Sequence, residues 1–114
     1  MGGQNNDSKK ENKVEEETII RGGVVKEENV FIKVGLDLDK TEKEITKNPP
    51  KADKIKIVEK ITAIGVNKKG AEVLSKKVDK MVKDKAKEIE KKTGIPTTGS
   101  GSVKSKNTNK NKNE

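Results

Sequence analysis

The apolar residues of this 114-residue chain gather in three stretches between two polar ends, and that confinement limits the fold to one small domain. Only 27% of the residues are apolar while 40% are charged. A segment with that balance cannot bury enough surface to offset the entropy of ordering its backbone. Residues 1–18 consist largely of Asn, Lys, Glu and Ser around a lone Val14. The run from Thr97 to Ser102 is Thr, Gly and Ser, and after Val103 come alternating Lys, Asn, Ser and Thr. The sequence therefore predicts a disordered polar tail over 1–18, a small α+β domain over 19–95 and a disordered basic tail over 96–114. Within that domain it predicts two or three strands and one long C-terminal amphipathic helix.

The first apolar stretch runs from Ile19 to Leu38. Ile32-Lys33-Val34-Gly35-Leu36-Asp37-Leu38 alternates with period two, which predicts a strand over Asn29–Leu38 with Phe31 in the core. Ile19–Val25 is a short preceding strand or a hairpin partner. Asp39–Thr46 has room for a short helix before Asn48-Pro49-Pro50 stops it. The second stretch, Lys54–Val66, is rich in β-branched residues and reads as a strand. In the third, Ala71, Leu74, Val78, Met81, Val82, Ala86 and Ile89 recur every three or four residues, one face of a helix over Asn67–Lys92. Asn67 is placed to cap its start and Gly94 to end it. Glu72–Lys76, Asp79–Lys83 and Glu88–Lys92 stand in the favourable i, i+4 order.

The formal charge is +8. Its distribution is uneven: residues 54–92 carry 13 basic and 6 acidic side chains, whereas residues 1–53 carry 10 and 12. There is no cysteine and no histidine, which removes disulfides, Cys/His zinc sites, thiol nucleophiles and the usual base near pH 7. An enzyme is the least expected class, and no cofactor is expected. No apolar run reaches the ~20 residues of a membrane span, and the start lacks the Ser or Thr of a myristoylation signal at Asn6. An intracellular protein, cytoplasmic or nuclear and without a membrane partner, is the expectation.

Gly65-Val66-Asn67-Lys68-Lys69-Gly70 joins a strand-like run to the helix. It is no Walker A loop, because Ala71-Glu72 follow Gly70. Two glycines, adjacent lysines and a helix N-terminus nevertheless suit a backbone phosphate, the alternative being a tight turn with solvated lysines. Lys69, Lys76, Lys80, Lys83, Lys87 and Lys91 fall on the outer face of the predicted helix. Such a stripe either neutralises phosphates or is an ordinary solvated face. Arg21-Gly22-Gly23 reads as a turn, and Asp37 with Asp39 as strand-end solvation or capping rather than a cation site. Phe31 is the sole aromatic residue, which excludes stacking platforms for unpaired bases.

Ile61-Thr62-Ala63-Ile64-Gly65 followed by a helix over Lys68–Lys87 resembles the Alba superfamily of small basic nucleic-acid-binding proteins, which includes protein subunits of RNase P. The resemblance implies a β-α-β-α order with Asn29–Gly35 as first strand, and it implies nucleic-acid contact at Gly65, Lys68 and Lys69. A rival pattern, strand Phe31–Leu38 with helices Lys54–Ile64 and Lys68–Lys92, has the order of a ribbon-helix-helix dimer, with Lys33 and Asp37 facing a major groove. The expected function is nucleic-acid binding of low sequence specificity, to RNA or DNA, through Lys33, Gly65, Lys68, Lys69, Lys76, Lys80 and Lys83. The alternative is a structural or assembly protein, a homo- or hetero-oligomer formed through the amphipathic helix.

Overall fold

The computed structural model describes residues 14–106. The order is β1 (Val14–Lys26), a single 3-10 turn at Glu27–Asn29, α1 (Val30–Lys47), β2 (Ala52–Ile64), α2 (Lys68–Thr93) and β3 (Thr97–Lys106). It is a small single α+β domain with three parallel strands in the order β1-β2-β3. Ile19 lies beside Ile57 in the β1–β2 register, and Ile61 beside Val103 in the β2–β3 register. Parallel neighbours require a crossover, and α1 and α2 supply the two. The helices touch each other and cover the same face of the sheet.

Three expectations are corrected. Asn29–Leu38 is not a strand: Val30 onward is the first half of α1. In this segment Val30, Val34 and Leu38 are four residues apart, a multiple of two that is also close to one helical turn, so their spacing satisfies both periods. Thr41 and Ile45 extend the helical series and share the buried face, while Ile32 and Leu36 fall to the solvent side. Phe31 is accordingly exposed on α1 and not in the core. The Asn48-Pro49-Pro50 stop acts as expected, with the Asn48 N–H returning to the Glu44 carbonyl at 3.0 Å.

The second correction concerns the ends. Val14–Thr18 belongs to β1 and Thr97–Lys106 forms β3, so neither segment is a disordered tail, and the long helix is followed by a strand instead of ending the fold. The rest of both expected tails, 1–13 and 107–114, lies outside the described residues. β3 has almost no apolar pattern because it is held by other means. A Cβ on Gly99 would lie 2.7 Å from the Val82 carbonyl oxygen, and one on Gly101 would lie 2.7 Å from Val78 Cγ1. The missing side chains let α2 rest directly on the strand. Helix side chains then satisfy the strand's outer edge. Asp79 Oδ1 accepts from the Gly101 N–H (2.8 Å), Ser75 Oγ from the Val103 N–H (2.8 Å), and Glu90 Oε1 from the Thr97 N–H (3.0 Å). An edge capped this way is a poor template for another strand.

The third correction is to the rival topology. Lys54–Ile64 lies in a strand and Phe31–Leu38 in a helix, the reverse of a ribbon-helix-helix order. The long helix itself is as read: Asn67 Oδ1 accepts from the Gly70 N–H at 2.7 Å, and Gly94 takes the left-handed conformation (φ 77°) that ends it.

The core lies between the helices and the odd-numbered residues of the strands. Ile55, Ile57, Ile61 and Ala63 meet Val30, Val34 and Leu38 from α1 and Val78, Val82 and Ile89 from α2. Full burial of each Val or Ile contributes roughly 1.5–3 kcal/mol. Between the helices, Lys85 Nζ reaches Glu42 at 3.0 Å, Asp39 at 3.5 Å and Glu88 at 3.2 Å, while Lys92 Nζ reaches Glu42 at 2.7 Å. Lys92 thus joins the helices to each other rather than pairing with Glu88 along its own helix.

Gly101→Ala is expected to lower stability by roughly 1–3 kcal/mol, because the helix backbone has nowhere to move. Ser102→Ala on the exposed face should change it by no more than about 0.5 kcal/mol. Urea denaturation of the two variants reads the difference.

Candidate nucleic-acid interface

The buried row of α2 is Ala71, Val78, Val82, Ala86 and Ile89. Half a turn away, Lys69, Lys76, Lys80, Lys83, Lys87 and Lys91 are all exposed and share the solvent face. Of the residues expected to act together, Lys76, Lys80 and Lys83 are brought onto one face with Lys69. Lys68 and Gly65 lie at its N-terminal end, Gly65 in the turn with φ 90°. Lys80 is 3.2 Å from Asp84, and Lys83 pairs with Asp79. Exposed i, i+4 pairs of this kind are worth only about 0.3–0.5 kcal/mol, so a phosphate can displace them. Beside the row, Lys76, Lys80, Lys83 and Lys87 line a shallow groove of about 450 Å³ whose far wall is Thr97–Gly99.

Lys33 is not part of this group. It sits on α1, and its ammonium holds Asp37 Oδ1 at 3.0 Å. Asp37 and Asp39, expected to share a strand face, diverge on the helix. Asp37 turns inward, whereas Asp39 meets Lys85. Among the described residues no group of three or more His, Cys, Asp or Glu could hold a metal ion.

Two features lie outside the residues expected from the sequence. The first is Glu59, fully buried at an inward position of β2 between Ile57 and Ile61. Neither of its carboxyl oxygens meets a donor, nor does Asp37 Oδ2. Burial, followed by the hydrogen bond and negative charge of Asp37, pushes the Glu59 carboxyl up to about 8. Glu59 is therefore a neutral acid at pH 7, set beside Asp37 of α1, whose other carboxyl oxygen is held by Lys33. Arg21 stands nearby, its Nε donating to Thr41 Oγ1 at 2.9 Å and its guanidinium pairing with Glu44. Arg21-Gly22-Gly23 is thus extended strand and not a turn. A surface hollow of about 510 Å³ reaches Asp37 past Arg21, Lys33, Lys40 and Lys60. The signal for Glu59 was one charge at the core parity of an otherwise apolar alternation.

The second feature is the other face of the sheet. Even-numbered strand residues point away from the helices and bring Lys26, Lys54, Lys56, Lys60, Lys104 and Lys106 to one exposed surface, with Glu16 as its acidic member. The alternation of Lys with Ile at 54–57 signalled part of it. Lys104 and Lys106 lay in the segment expected to be disordered.

No family model matches this chain, and no curated protein or solved structure matches it.

Glu59 also sets a pH dependence. Between its ordinary value of 4.5 and about 8, the unfolded chain releases this proton while the folded chain keeps it, so stability falls as pH rises through that window. Glu42, held by Lys92 and Lys85, and Asp79, held by Lys83 and the Gly101 N–H, lie below their ordinary values. Their stabilisation is complete above those values and is lost as pH falls below them. Thermal melts from pH 3 to 9 should therefore show a maximum near pH 5. Glu59→Gln should abolish the decline toward pH 8 and gain several kcal/mol there. A wild-type protein equally stable at pH 5 and pH 8.5 would contradict the assignment.

Proposed function

We propose that this protein binds nucleic acid with low sequence specificity, Lys68, Lys69, Lys76, Lys80 and Lys83 contacting the phosphate backbone. The observation that carries the reading is the lysine row on the solvent face of α2, continuous with the strand-turn-helix junction at Gly65. Cations in such a row release the counterions condensed on a nucleic acid, a driving force indifferent to sequence. Phe31 is the chain's single aromatic ring, so contacts to backbone and shape dominate over base stacking. The reading stands on this charge geometry and leaves RNA and DNA equally open. No helix among the described residues is long and apolar enough to cross a membrane.

The competing reading, assembly through the amphipathic helix, has less to draw on. The apolar face of α2 is already spent inside the domain. Phe31, Ile32 and Leu36 on α1 and Val73 on α2 are the large apolar side chains that the helices leave exposed among the described residues. Concentration-dependent sedimentation without nucleic acid would favour it.

Filter binding of a duplex across a salt series tests the proposal. Five phosphate contacts correspond to a log–log salt slope of about −4.5, and replacing Lys76, Lys80 and Lys83 by Gln should make it shallower by about 3. Absence of binding at low salt would remove the reading.

A further inference from the structure

Parallel sheets are ordinarily covered on both faces, because their crossover connections place helices on each side. Here both crossovers lie on one side, and among the described residues nothing covers the opposite face of β1, β2 and β3. Its exposed residues include Lys54, Lys56 and Lys60 from β2, Lys104 and Lys106 from β3, and Lys26 from β1, against Glu16 as the one carboxylate there among the described residues. None of these six lysines has an ion pair among the described residues. Thr18, Thr98 and Ser102 add exposed hydroxyls, and Ile20 and Val24 a small apolar strip.

The charge decides what can lie there. A second copy docked on this face by a two-fold axis would set six lysines against six, so self-covering is opposed. A polyanion is complementary. The face contains no aromatic side chain. An unpaired strand would have no ring on which to stack its bases, whereas the bases of a duplex are already stacked on one another. From Lys54 to the level of Lys106 the face runs about 33 Å, close to one turn of a duplex at about 34 Å. The lysine row of α2 lies on the other side of the domain, because the buried row of that helix rests on the inner face of the same sheet.

We propose that the bare sheet face is a second phosphate-backbone surface, back to back with the α2 row, and that one domain thereby bridges two nucleic-acid duplexes. This rests on the nucleic-acid reading above and adds to it a surface, a class of ligand and a consequence. Neither face requires the other to bind, so removing one leaves a protein that holds a single duplex.

A bridging assay with the full chain tests it. A 30-base-pair duplex is immobilised on beads, and retention of a second, labelled duplex is measured at low salt. The wild-type protein should retain the labelled duplex. Lys54→Gln/Lys56→Gln/Lys60→Gln and Lys76→Gln/Lys80→Gln/Lys83→Gln should each still bind the beads but lower retention at least tenfold. All six side chains are exposed, and unchanged thermal melts would show that both variants remain folded. Wild-type binding without retention, or a sheet-face variant that bridges as well as wild type, overturns the inference and leaves the proposed function standing. A preference for single-stranded over duplex competitor, or equal competition by poly-glutamate, also overturns it. A wild-type protein that does not bind the immobilised duplex sinks both.

Discussion

The pairing of β2 to a parallel neighbour on each side is the constraint on which the rest of this structure depends. A central strand has its backbone groups engaged in both directions, leaving its side chains to divide strictly between two faces. Its odd positions, Ile55, Ile57, Ile61 and Ala63, build the floor of the core, and its even positions place Lys54, Lys56 and Lys60 on the opposite side. A shift of one residue in register would bury three lysines and expose three isoleucines. The same parallel pairing forces two crossovers, and since the order β1-β2-β3 runs in one direction across the sheet, crossovers of one hand place both helices on the same face. A single layer of helices and a bare cationic surface therefore have one cause.

Glu59 is the exception to that division, and it reports on electrostatics deep in the domain. An ionised carboxylate enclosed between isoleucines and facing the charge of Asp37 would be strongly unfavourable, so the group keeps its proton. The result is a polar link between β2 and α1 in a part of the molecule otherwise joined by apolar contact. Lys33 belongs to this link, which is why it does not contribute to the α2 surface. The exposed charges behave differently. Those between the helices are gathered around Lys85 and Glu42, while the rows on α2 and on the sheet are exposed to solvent.

How much could be read in advance depended on whether an element's partner lay within its own residues. The long helix was legible to its caps, because Asn67, Gly94 and the spacing from Ala71 to Ile89 all act within one segment. β2 was legible for the same reason. α1 was misread because Val30 to Leu38 satisfies two periods at once, and the deciding residues, Thr41 and Ile45, lie beyond the apolar run. β3 was illegible: Gly99 and Gly101 look like a flexible linker until the backbone of α2 is placed 2.7 Å and 3.0 Å from where their side chains would begin. The candidate site divides the same way. The α2 lysines share a face by helical periodicity alone, whereas Lys26, Lys60 and Lys104 are far apart along the chain and come onto one sheet face through strand register.

Local periodicity, capping residues and the uneven placement of charge were enough to establish a small basic α+β domain with a lysine-faced amphipathic helix, since each of these acts over a few residues along the chain. The parallel strand order, the conversion of Val30–Leu38 to helix, the recruitment of Thr97–Lys106 and the neutral state of Glu59 came from contacts between distant segments. Hydrogen bonding across strands, close approach of a helix backbone and removal of a carboxyl from water have no counterpart in the linear pattern. Those same long-range contacts gather the lysines of three separate strands into one surface.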